Sequence, residues 1–174
     1  MIGPVALSLQ VCSRNRGIVQ RELSEFRIFR DEDTAELESM ALALYREDPP
    51  GHRMSRLKIR RTIAEFSRHP DKGTITIIHV GREIIGYAIV VHFWSNEYGG
   101  NIACLDELYI KPAWRSRGVG SGFLKQLART SGLRGIHLET TPKNNRARRF
   151  YCRQGFRRSN NIHLIKEVHH STNI

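Results

Sequence analysis

Apolar positions recur along the chain at two spacings, and the switches between them outline the elements. Ala103 and Leu105 alternate with their neighbours as one face of a strand does, and so do Leu108 and Ile110. The two pairs are out of phase. One extra residue near Asp106 and Glu107 restores the phase, which predicts a β-bulge, a strand splayed from its neighbour and backbone amides left open to a ligand. Pro112 ends that strand, because it has no donor for the ladder. Val119, Phe123 and Leu127 then recur four apart, the inward face of a helix.

The remaining elements follow from the same two periods. Residues 25–29 alternate as a first strand, and Asp31, Asp33 and Thr34 offer caps for a helix carrying Leu37, Met40, Ala41, Leu44 and Tyr45 inward. Pro49 stops it. A second helix, Ser55 to Ser67, turns Ile59, Ile63 and Phe66 inward. Thr74 to Val80 and Glu83 to Trp94 form a hairpin about Gly81-Arg82. Gly135 to Thr140 reads as a strand, and Asn144 caps a helix that runs through Gln154 and stops at Gly155. Asn161 to Lys166 is expected as a last strand. The order β-α-α-β-β-β-α-β-α-β predicts a mixed α/β fold.

Between the bulged strand and its helix lies Arg115-Ser116-Arg117-Gly118-Val119-Gly120-Ser121. Glycines at 118 and 120 let backbone approach a ligand closely. A helix N-terminus supplies free N–H groups, and Arg115 and Arg117 add positive charge, a combination suited to phosphate. Neither a P-loop string nor a dinucleotide Gly-x-Gly-x-x-Gly fingerprint is present.

The stretch Arg115-x-x-Gly118-x-Gly120 resembles the cofactor motif of the GNAT superfamily of acetyl-CoA-dependent N-acetyltransferases. The longer string from Asp106 to Ser121 resembles the diamine (spermidine/spermine) branch, with Ser116 where many members carry Gly. The resemblance implies an acyl-CoA N-acyltransferase fold: a mixed, mostly antiparallel sheet with a splayed central strand and helices on both faces. It also implies that Leu108, Tyr109, Ile110, Arg115, Ser116, Arg117, Gly118, Val119, Gly120 and Ser121 contact coenzyme A. Asn144-x-x-Ala147-x-x-x-Tyr151-x-x-x-Gly155-Phe156 is similar to the family segment whose asparagine bonds the pantetheine arm and whose tyrosine approaches the sulfur. That assigns Asn144 and Tyr151 to the cofactor and makes Tyr151 the expected acid.

Acetyl transfer to an amine needs a neutral amine, a donor for the oxyanion and a proton for the thiolate. Glu107 and Asp106 lie at the bulge, where a carboxylate could take the amine's proton. The pair aligns with the acidic pair of the diamine branch. Leu138-Glu139 before Asn144 resembles the ribosomal-protein alanine acetyltransferases, where a glutamate at this spacing is the base. Asp106 and Glu97 are candidates for binding a cationic acceptor. The scattered histidines and Cys12, Cys104 and Cys152 show no metal-ligand spacing, so no metal is expected.

At 174 residues and 40% hydrophobic content the chain is read as one globular domain over 23–168. Residues 1–22 are read as a poorly ordered extension and 169–174 as a tail. No membrane span is expected, and a cytoplasmic location is. The net charge of +11 is uneven. Residues 31–48 hold seven acids against Arg46, and 111–158 hold thirteen bases against Glu139. The basic half suits a polyanionic cofactor, and nucleic acid binding or coenzyme A sensing without turnover are the alternatives. The acidic stretch falls where the family's first helices line the acceptor side, so a cationic small molecule or peptide amine is expected, and a homodimer is the default.

Overall fold

The computed structural model describes residues 24–49 and 51–168. The expected extension and tail lie outside the described residues. Five strands form one sheet in chain order: β1 (Glu25–Ile28), β2 (Gly73–Val80), β3 (Glu83–Ser95), β4 (Gly100–Ile110) and β5 (Leu133–Leu138). Every neighbour pair is antiparallel except β4 and β5, which are parallel. Helices α1 (Thr34–Glu47) and α2 (Arg56–Arg68) cover one face, and α3 (Val119–Leu127) and α4 (Asn145–Arg153) the other.

Strand alternation explains the two cores. Ile75, Ile77, Tyr87, Ile89 and Tyr109 point to one face, where Leu37, Met40, Ala41 and Ile59 of the first two helices bury them. Ala88, Val90, Ala103 and Leu105 point to the other, against Phe123 and Leu124 of α3, with Phe150 and Tyr151 of α4 beside them. Local signals fix the helix ends. The Ser55 hydroxyl accepts from the Lys58 N–H at 3.3 Å, and Asn144 Oδ1 accepts from the Ala147 N–H at 2.9 Å.

The phase switch in β4 is a bulge. Ile89 pairs with Glu107 and Val90 with Leu105, so Asp106 opposes no residue of β3. β5 follows β4 only as far as the Leu105–Leu138 pair, whereas β3 follows it to Ile110. Beyond the bulge, residues 106–110 therefore keep a partner on one side only. A wedge opens between the two parallel strands.

The last predicted strand does not form. Residues 161–166 have no regular structure, and Ile162, Leu164 and Ile165 are 84, 87 and 78% exposed. Leu164 and Ile165 are adjacent, so a strand would turn them to opposite faces, and one sheet face cannot bury both. Side chains hold this segment instead: His163 contacts Glu139, and His52 lies 3.2 Å from Glu167.

Candidate active site

The wedge and the loop after it form one concave run of backbone donors. A 3-10 turn at 112–114 leads into the loop, where Ser116 (φ 62°) and Gly118 (φ 86°) are both left-handed. Alternating left-handed residues turn successive N–H groups to one side, an anion-binding nest. The first bond inside α3 is from the Gly122 N–H to the Gly118 carbonyl, 2.9 Å, leaving the N–H groups of Val119, Gly120 and Ser121 without helical partners. A Cβ at residue 120 would come within 3.0 Å of the Phe150 ring, so glycine there brings the start of α3 close to α4. The Arg117 guanidinium lies 4.9 Å above the Trp114 ring and adds charge beside the nest.

Arg115 faces elsewhere. Its Nε donates to the Ile110 carbonyl at 2.6 Å, and its Nη2 donates to both Glu47 carboxylate oxygens at 2.9 and 2.7 Å. The guanidinium also lies over the Tyr109 ring, 5.3 Å from its centroid. Its side chain pins the end of α1 to the sheet, so its charge is shared with Glu47. Asn144 is likewise engaged on both atoms: Oδ1 caps α4, and Nδ2 donates to Asp48 at 2.6 Å. Thr141 Oγ1 donates to the same carboxylate at 2.5 Å. Thr140 Oγ1 is buried with no hydrogen-bond partner among the described residues. It lies on the segment linking Glu139 to Asn144.

Glu107 is the buried carboxylate of the wedge, 8% exposed. It faces α1 and α2, and the fully buried Tyr87 donates to its Oε2 at 2.5 Å. The Tyr45 phenol, from α1, lies close to the same carboxylate and favours its charged form. Burial raises the Glu107 carboxyl above the usual range, the Tyr87 bond and the nearby Tyr45 phenol oppose that, and the Asp106 charge adds to it. A cavity of about 20 Å³, room for one water, touches Glu107 between α1, α2 and the sheet. Sequence reasoning missed Tyr45, Tyr87 and Thr140. Tyr45 and Tyr87 match helical and strand periods as core residues, and no spacing marks a hydroxyl that will meet a distant carboxylate.

The other expected residues divide between the wedge and elsewhere. Tyr151 packs against Phe150 and Phe156, with ring centroids 5.0 and 5.5 Å away, on the α3–α4 side of the sheet. Burial pushes its phenol up to about 12, so it stays protonated at ordinary pH. Asp106 and Glu139 lie near one another at the mouth of the wedge, and lost solvation together with the Glu139 charge raises the Asp106 carboxyl. Glu139 is exposed and held by His163. Glu97 is exposed in the turn after β3, six residues of strand beyond the Glu107 pairing level, or roughly 20 Å. It does not join the group.

The acids of 31–48 are mostly committed within the chain. Asp33, 2% exposed, takes both Arg27 nitrogens at 2.6 and 2.7 Å, and its carboxyl is held low by that bond. Glu36 pairs with Lys111, Glu38 with Arg60 and Arg56, and Glu47 with Arg115. The stretch is therefore not the open acidic wall expected for a cationic acceptor. Its charge is cancelled by bases that converge on it only in the folded state.

Residues 34–156 match the Acetyltransferase (GNAT) family. The chain belongs to that family. It is 29% identical over 97 residues to an uncharacterized N-acetyltransferase of Mycobacterium bovis, an alignment covering 54% of this chain and 58% of the relative. The match thus spans little more than half the length of that curated relative. In fold, this GNAT protein is similar to a possible acetyltransferase of Clostridium difficile 630 (TM-score 0.73, 18% identity, 86% of this chain and 100% of that one). It is also similar to AAC(6')-Iy in complex with the bisubstrate analogue CoA-S-monomethyl-acetylneamine (TM-score 0.66, 18% identity, 84% and 99% covered). Among the described residues no cluster of His, Cys, Asp or Glu could hold a metal, and no helix is long and apolar enough to cross a membrane.

Proposed function

We propose that this GNAT protein transfers an acetyl group from acetyl-CoA to a primary amine by direct attack, with Glu107 as general base and Tyr151 as general acid. The observation that carries the reading is Glu107, a carboxylate 8% exposed at the bulge where β4 leaves β5, held by the Tyr87 phenol at 2.5 Å. A base must have a raised pKa to accept a proton from an amine near neutrality, and burial supplies that. The amine nitrogen attacks the thioester carbonyl carbon, and its proton passes to Glu107. The free N–H groups on the wedge side of residues 106–110 are donors for the oxyanion. As the carbon–sulfur bond breaks, the Tyr151 hydroxyl protonates the departing sulfur.

The nest from Ser116 to Ser121 suits the pyrophosphate of coenzyme A, and Arg117 suits its charge. Leu108, Tyr109 and Ile110 offer the strand edge to the pantetheine arm, and Thr140 offers an uncommitted hydroxyl. Asn144 can join only by releasing Asp48. Cys104 is the thiol nearest the carboxylates, and burial together with Asp106 and Glu139 pushes it up, so it is a poor nucleophile. That favours attack without an acyl-enzyme. The AAC(6')-Iy neighbour in fold was solved with a bisubstrate analogue of coenzyme A and an acetylneamine, which supports the same class of reaction here.

Thiol release from acetyl-CoA against a panel of amines tests the assignment. Glu107→Gln and Tyr151→Phe should each lose turnover while calorimetry shows acetyl-CoA binding retained. Near-normal rates in both would reject the roles.

A further inference from the structure

The outer side of α1 carries a feature that the acetyl-transfer reading leaves unused. A groove of about 650 Å³ runs between α1 and the segment that joins it to α2, a size suited to a small-molecule ligand. Its polar lining includes Arg46, His52, Arg53 and Arg56, and no carboxylate is part of it. Arg56 lies 3.4 Å from Glu38, but that carboxylate is already bonded to Arg60 at 2.6 Å. His52 is met by Glu167 at the rim. Arg46 and Arg53 have no carboxylate partner among the described residues, although most acids of the same helix are paired elsewhere. Unpaired guanidinium groups in a concave, partly apolar site create a field that gathers anions.

The groove adjoins the proposed chemistry through two side chains. Met54 lines both the groove and the small cavity against Glu107, and Tyr45 lines the groove with its phenol close to the Glu107 carboxylate. A molecule with its amine at Glu107 could lay the rest of its length past Tyr45 into the groove.

We infer that the acceptor is a small primary amine carrying an oxyanion, a carboxylate or a phosphate, which Arg46 and Arg53 bind in the groove between α1 and the α1–α2 segment. The inference rests on the reading of Glu107 as the base. A polyamine finds arginines here and committed carboxylates, so it is the disfavoured acceptor. Guanidinium binds both kinds of oxyanion through paired N–H donors, so lysine is a poor substitute at either position.

Matched acceptors read the inference directly in the full chain. An amino acid is compared with its carboxamide, ethanolamine phosphate with ethanolamine, and spermidine is assayed beside them. The expected result is a kcat/KM roughly tenfold or more higher for the anionic member of at least one pair, the size of a charged hydrogen bond. Which pair responds separates carboxylate from phosphate. Arg46→Gln and Arg53→Gln should bring the anionic member down toward its neutral twin with acetyl-CoA affinity unchanged.

Equal rates within both pairs, or preference for spermidine, would overturn the inference. A rise in acetyl-CoA Kd in the arginine variants would also overturn it, since the groove would then serve the cofactor's phosphates. If no acceptor in the panel turns over, backbone amide shifts of residues 45–56 are followed while inorganic phosphate and glutarate are titrated. Saturable shifts lost in the double variant support the groove as an oxyanion site, and the lack of any saturable shift refutes it. The Glu107 reading fails separately: Glu107→Gln would leave every acceptor's rate intact, whatever the order among acceptors.

Discussion

The two sides of the wedge are built from different material. On the α3 side the groups that the proposed reading turns to a ligand are backbone: the amides of residues 116–121 and the bare edge of β4 beyond Asp106. On the α1 side they are side chains gathered from afar: Tyr45 from a helix, Tyr87 from β3 and Glu107 from β4, with Arg115 drawn across to Glu47. A backbone site tolerates varied side chains provided glycine or a turn sits where it must. A side-chain site can be altered by one substitution. The same fold can therefore keep one thioester donor while changing the amine it serves.

The comparison is broken most severely at Glu107. Replacing it by Gln keeps the shape and removes the base, and we expect kcat to fall by about 10²-fold or more, measured by thiol release at saturating acetyl-CoA. The wild-type pH profile sharpens the point. The base must be ionised to act and its pKa is raised by burial, so activity should fall on acidification with a midpoint above the ordinary glutamate value. In Tyr87→Phe the carboxylate loses a donor that favours its charged form, so that midpoint should move to still higher pH. A purely structural tyrosine would lower stability and leave the midpoint where it was.

Smaller effects are expected at the pin and the loop. Arg115→Lys loses the forked bond to Glu47 and the stacking on Tyr109, and a loss of about 1–2 kcal/mol should appear in denaturant unfolding. Ser116→Gly relieves a left-handed residue that carries a Cβ. It should raise stability by up to about 1 kcal/mol and leave acetyl-CoA affinity at least as strong. A loss of affinity would mean that the hydroxyl, not the backbone, serves the ligand.

The same division governs what could be read from the residues alone. The bulge was legible because an extra residue in a two-residue period shifts every later apolar position, and the loop was legible because left-handed turns select glycine. The place of Tyr151 on α4 followed from spacing to Ala147 and Phe150. The acceptor side was illegible for a physical reason. Seven acids over eighteen positions look like an open negative wall, yet Arg27 from β1, Arg60 from α2, and Lys111 and Arg115 from the turn after β4 arrive to pair with four of them. Charge in a sequence is local, and its compensation is tertiary. The last strand misled for a related reason, since β propensity in Asn161 to Lys166 has no complementary face to meet.

Asp48 bonds Thr141 and Asn144 from the far end of α1, so a single side chain bridges the two lips of the opening. The lips cannot part independently. Moving the β5–α4 segment away from α1 would have to break both bonds or carry the end of the first helix along with it.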